Sequence, residues 1–162
     1  MSRSLGRNLP PDLLTRLAQS DLGSHLGKAI PLITLDSEGR PHPMLVSYLE
    51  VRAIDPRTIR IVISAKSRSA QNLRERRIAT LLLVEPDQTL YVKVQASEGP
   101  RPIVELPDFA LFVLTVEDIL EDAPGGWERG VRIAGALRYA PVPSLEEPWA
   151  RATLKALAQE GP

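Results

Sequence analysis

The stretch from Ile59 to Leu73, Ile-Arg-Ile-Val-Ile-Ser-Ala-Lys-Ser-Arg-Ser-Ala-Gln-Asn-Leu, constrains the fold of this chain most. In its first half Ile59, Ile61 and Ile63 alternate with Arg60, Val62 and Ser64, the period-2 signature of a half-buried strand. Its second half crowds Ser64, Lys66, Ser67, Arg68 and Ser69 together, and Ala70 to Arg76 then reads as one or two helical turns. A strand running into a helix start aims free backbone N–H groups at one point. Hydroxyls and two cations added there make a phosphate seat. The same residues equally suit a serine-capped, solvated surface helix.

The flanking sequence supplies further strands. Pro10-Pro11-Asp12 opens a short helix with Leu13, Leu14, Leu17 and Ala18 as its apolar stripe. Ala29 to Leu35 is a first strand. Asp36 to Pro41 is a hairpin connection with Gly39 where a positive φ is needed, and Met44 to Ile54 is a second, long strand. Ile78 to Val84 is an apolar run that reads as a strand buried on both faces. Leu90, Val92, Val94 and Ala96 then point inward, opposite Tyr91, Lys93 and Gln95. Phe109 to Val116 and Val131 to Tyr139 complete the strands, with acidic residues 117–122 and a turn at Ala123 to Trp127 between them. Ser144, with Glu147 at capping-box spacing, opens a C-terminal helix over residues 144–160. Residues 1–9 read as a loose tail. Six or seven antiparallel strands joined by short turns, with a few short helices, fit a mainly β barrel better than a layered α/β fold. No repeat or linker divides residues 1–162, so a single domain is expected.

Composition removes whole classes of chemistry. The 162 residues include no cysteine and only two histidines, His25 and His42, far apart. Thiolate nucleophiles, disulfides and cysteine-ligated metals are excluded, and a histidine-based metal site lacks its partners. Formal net charge is zero, which argues against a general electrostatic grip on nucleic acid or on an anionic membrane. No apolar run is long enough to span a bilayer, and the N-terminus lacks the apolar core of a secretory signal, so a cytoplasmic protein is expected. His42 follows a turn proline and reads as a solvated loop residue. Asp118, Glu121 and Asp122 read as a solubilising edge. Trp127 after Gly125-Gly126 suits either a lid over a ligand or a subunit contact.

The order of features is similar to that of a known family. Gly27-Lys28-Ala29-Ile30-Pro31-Leu32-Ile33-Thr34-Leu35-Asp36, then Gly39-Arg40-Pro41-His42, then Ser47-Tyr48-Leu49 resembles the opening of the pyridoxamine 5′-phosphate oxidase-like, FMN-binding split β-barrels. Ser67-Arg68, followed by Asn72-Leu73-Arg74 and the strand at Ile78, resembles that family's phosphate-binding strand and helix. The resemblance covers roughly Gly23 to Tyr139. It implies a homodimer with FMN at the subunit interface and a small-molecule substrate. The implied phosphate contacts are Ser67 and Arg68, with Lys66, Ser69 and Asn72 beside them. The Lys that commonly follows the Ser-Arg pair is Ser69 here. The implied neighbours of the flavin ring are Val46, Ser47, Tyr48 and Ser64, with Lys93 and Gln95 at the rim.

The C-terminal region, with Ser-Leu-Glu-Glu-Pro-Trp-Ala-Arg at residues 144–151, carries no run of tryptophans followed by Arg-Leu-His such as the authentic oxidase has, so pyridoxamine phosphate oxidation itself is not expected. An FMN-dependent oxidoreductase using a reduced nicotinamide donor is the reading the resemblance favours. A deazaflavin-dependent reductase and a non-catalytic split-barrel dimer that lost tight flavin binding are the alternatives. In all three no side chain is assigned a catalytic role, since a flavin carries the electron chemistry itself.

Overall fold

A computed structural model describes every residue except Met1, Asp87, Arg101, Arg129 and residues 160–162. In chain order its elements are β1 (Ser2–Gly6), α1 (Pro11–Leu17), α2 (Leu22–His25), β2 (Ala29–Leu35), β3 (Pro41–Ser47), a 3-10 turn (Tyr48–Glu50), β4 (Val51–Asp55), β5 (Thr58–Ser64), α3 (Arg68–Arg76), β6 (Ile78–Val84), β7 (Thr89–Glu98), β8 (Phe109–Asp122) and α4 (Pro148–Ala158). Seven strands form one antiparallel sheet in the order β3-β2-β6-β7-β8-β5-β4, with β1 added alongside β8. No helix among the described residues is long and apolar enough to cross a membrane.

β3 and β4 follow each other in the chain yet lie at opposite ends of that order. The sheet must therefore curl, and the 3-10 turn is the corner that brings its ends together. The sequence read Met44–Ile54 as one strand; the structure breaks it there. The cause is local. Ser47 and Glu50 form a capping box, the Glu50 carboxylate accepting from the Ser47 N–H at 2.7 Å and from its hydroxyl at 3.0 Å. The break also reassigns the faces, so that Leu45 is exposed and Val46 is buried.

The core fills the inside of the curl. Ile59, Ile61 and Ile63 of β5 are fully buried there with Phe112 and Leu114 of β8 and Val92 and Val94 of β7. Val62, on the other face of β5, is buried under α4 with Leu106, Ala156 and Leu157. The inward set on β7 is the one its alternation predicts. β6 departs from expectation. Only Ala79, Leu81 and Leu83 are buried, while Leu82 and Val84 stay half-exposed on the outer face, so the strand is buried on one side.

Other boundaries also move. The loose tail expected over residues 1–9 is not found from Ser2 on, Met1 lying outside the described residues: β1 pairs with β8 from Ser2↔Asp122 onward. β8 runs on through the acidic residues to Asp122, past the end of its ladder with β5 at Thr115, and β1 occupies the edge so exposed. Arg3–Glu121 at 2.6 Å and Ser4–Asp118 at 2.7 Å fix the pair. Residues 131–139 form no strand. Their one bridge is Lys28↔Arg138, and Val131, Ile133 and Leu137 remain exposed. The C-terminal helix begins at Pro148, whose ring suits a first turn. Ser144 does not cap it, and residue 160 lies outside the described residues.

Candidate functional site

β5 delivers the chain to α3 through Ser64-Ala65-Lys66-Ser67. The Ser67 N–H bonds the Ser64 carbonyl at 3.1 Å, and the Ser67 hydroxyl caps α3 by accepting from the Ala70 N–H at 3.1 Å. The first-turn N–H groups of Arg68 and Ser69 have no helical acceptor. Lys66 and Arg68 are exposed on either side, and Lys66 is loosely paired to Asp108 at 3.4 Å. Asp36 lies close enough to feel Arg68. Its carboxyl is held below the usual range first by the Arg40 N–H and, more weakly, by the Arg68 charge. A helix N-terminus with a serine cap and two solvent-facing cations is a donor set that fits a phosphate.

The rest of α3 is fastened down. Asn72 is buried and donates to the Thr34 hydroxyl at 2.9 Å, tying α3 to β2. Arg74 forms a two-pronged ion pair with Glu98 at 2.9 and 3.0 Å, donates to the Ala65 carbonyl at 2.9 Å, and lies over the Phe112 ring at 5.7 Å. Arg77 ends the helix in the left-handed region, φ 58°. Ser69 is buried and contributes no side chain to the surface.

Of the residues the resemblance implies at a flavin ring, three are buried in the single chain. Val46 and Tyr48 belong to the closed core and Ser47 is buried with its N–H and hydroxyl on Glu50. None of the three offers surface in the single chain. Ser64 is exposed at the end of β5. Lys93 and Gln95 are exposed on the outer face of β7, opposite Thr80 and Ile78 of β6. The structure thus gathers Ser64, Lys66, Ser67 and Arg68 at one place, keeps Ser69 and Asn72 beneath them, and sets Lys93 and Gln95 apart along β7.

Sequence reasoning missed a polar cluster at the start of β2. Glu85 accepts from Lys28 at 2.8 Å and pairs with Arg16 at 3.1 Å, all three side chains being largely buried. Tyr48 stacks beside His25, ring centroids 5.2 Å apart, and burial pushes its hydroxyl up to about 12. His25 Nδ1 is buried without a hydrogen-bond partner. Its imidazole is held below its ordinary value first by burial and then by Lys28 and Arg16. Glu50 behaves in the opposite sense: burial raises its carboxyl against the two Ser47 hydrogen bonds. Charged residues scattered over α1, β2 and the β6–β7 turn carry no local motif, so only the fold reveals that they meet.

A cleft of about 820 Å³ opens on the outer face of β6 and β7, under the loop that carries Trp127. Leu82, Tyr91, Trp127 and Ile133 wall it, with Asp122 and Glu128 at its edge. Tyr91 donates to Asp122 at 2.9 Å, and that bond raises the phenol above its usual range.

No family model matches the chain, and no curated protein matches it. Solved structures do. A Lactobacillus delbrueckii protein provisionally named a pyridoxamine 5′-phosphate oxidase aligns over 72% of this chain and 98% of its own, with a TM-score of 0.57 and 14% identity. An FMN-binding protein from Syntrophomonas wolfei aligns over 69% of this chain and 88% of its own, with a TM-score of 0.53 and 17% identity. An F420 reductase aligns over 59% and 93%, with a TM-score of 0.50 and 15% identity. At such identities the likeness is one of fold. With its curled antiparallel sheet, corner turn and strand-to-helix seat, the chain has the split β-barrel fold of pyridoxamine 5′-phosphate oxidase-like and FMN-binding proteins.

Proposed function

We propose that this chain is a flavin-binding split barrel that works as a homodimeric oxidoreductase on a small organic molecule, with a reduced nicotinamide as electron donor. One observation carries the reading: the start of α3 brings together first-turn N–H groups without a helical acceptor, the Ser67 cap and the exposed Lys66 and Arg68 cations. That set suits the phosphate of FMN. Ser67 orients the first turn, Arg68 supplies the forked charge, and Arg74 and Asn72 keep the helix in place. A flavin, when bound, supplies the electron chemistry. The protein's task is to hold it and to leave one face open.

A deazaflavin cofactor is the second reading. The F420 reductase among the structural neighbours favours it, as does the buried Ser69 where a phosphate-binding lysine is usual. A non-catalytic dimer with weak flavin affinity is the reading left if neither cofactor binds.

The test is a titration with FMN and riboflavin. FMN is expected to bind much more tightly than riboflavin, and Arg68→Ala to weaken FMN by about 1.5–3 kcal/mol while leaving riboflavin unchanged. Equal FMN affinity in the two proteins overturns the seat. Mixing the FMN-loaded protein with a reduced nicotinamide without oxygen should then bleach the flavin absorbance.

A further inference from the structure

We propose that the cleft under the Trp127 loop is a second binding site, for a flat aromatic cation. This goes beyond the flavin reading, and the cleft is spatially separate from the α3 seat. β8 begins beside the α3 seat, at Phe109, and reaches the cleft only at Asp122, its fourteenth residue.

Three features define the occupant. The first is size and wall chemistry: about 820 Å³ lined by Leu82, Tyr91, Trp127 and Ile133 lies within the range of small-molecule sites. The second is a presented indole. Trp127 is 81% exposed, yet its loop is not slack. The Gly125 N–H donates to the Glu128 carboxylate at 2.6 Å and the Glu128 N–H returns to the Gly125 carbonyl at 2.9 Å. A Cβ at Gly125 would stand 2.6 Å from the indole, so glycine is what lets the ring fold back over the turn. The third is charge. Glu85, which also lines the cleft, is paired with both Arg16 and Lys28, one carboxylate against two cations. Asp122 and Glu128 accept only from neutral donors, Tyr91 and Gly125, and neither is ion-paired among the described residues. Arg132 is the one cation among the described residues that line the cleft, against the carboxylates of Glu85, Asp122 and Glu128. An aromatic ring bearing positive charge satisfies all three, because it stacks on indole, gains the cation–π attraction and offsets two carboxylates.

The experiment uses the full chain carrying Trp149→Phe, which leaves Trp127 as the single tryptophan. N-methylacridinium is compared with acridine at a pH where acridine is uncharged, so that shape is nearly constant and only charge differs. The cation is expected to quench Trp127 emission and to bind about tenfold tighter than the neutral ring. Asp122→Asn combined with Glu128→Gln should erase that preference, and Trp127→Ala should weaken both probes. If the combined variant fails to fold, the charge comparison on the parent chain still decides. Equal or weaker binding of the cation overturns the proposal. So does binding untouched by Trp127→Ala, or a dimer by sedimentation in which Trp127 is shielded from acrylamide, since a second copy would then cover the cleft. Loss of FMN binding alone touches only the α3 seat.

Discussion

Residues 59–64 and 131–139 differ in what lies beside their backbones. β5 has a strand on each side, β4 through Val51↔Ile61 and β8 through Ile61↔Phe112, and its isoleucines are fully buried. Residues 131–139 cross the gap where the β2–β6 ladder stops at Leu32↔Leu81. Among the described residues their backbone bonds the edge of β2 at one end only, the Ala29 N–H bonding the Leu137 carbonyl at 2.8 Å and the Tyr139 N–H the Gly27 carbonyl at 2.9 Å. Both stretches alternate apolar and other residues. Alternation specifies which way side chains point, and a strand also needs neighbours for its own N–H and C=O groups. The candidate seat grows from the stretch that has them, and the presented Trp127 from the segment that does not.

That contrast can be broken by mutation. The largest effect is expected on the paired side. Phe112→Ala should cost about 3–5 kcal/mol in urea unfolding, whereas Val131→Ala should stay within about 0.5 kcal/mol. Similar losses at the two positions would mean that residues 131–139 are packed as tightly as the barrel. Next is the fastening of α3. Arg74→Ala removes a half-buried, two-pronged ion pair and a bond to the Ala65 carbonyl, and should cost about 2 kcal/mol. The smallest effect separates two serines that sequence alone treats alike. Ser67→Ala should cost about 1 kcal/mol, because its hydroxyl caps α3. Ser144→Ala should cost less than about 0.5 kcal/mol, because it caps nothing in α4.

The sequence was most legible where one rule acted locally. The alternation of β5 and β7, the Gly39 hairpin at φ 78° and a serine cap on α3 all depend on residues near one another, and all appear as read. It was least legible where distant parts of the chain decide the outcome. Whether residues 2–6 pair depends on how far β8 outlasts β5, and nothing in Ser-Arg-Ser-Leu-Gly announces that. The corner at Tyr48–Glu50 was written in the Ser47–Glu50 spacing, but a run of apolar residues on both sides masked it. The site divides in the same way. The serines and cations around Ser67 are contiguous and were visible. The placing of Val46 and Tyr48 inside the core follows from the corner, and the cleft beneath Trp127 from the path of residues 124–133 across β6 and β7.

The central proposal is that the strand-to-helix seat of β5 and α3 holds the phosphate of a flavin-type cofactor. The most direct measurement is to denature the purified full chain and identify what it releases by chromatography and mass spectrometry, then to offer FMN and a deazaflavin to the refolded protein. The account predicts release or stoichiometric uptake of one of these cofactors, with uptake weakened in Arg68→Ala. A chain that releases neither and takes up neither contradicts it.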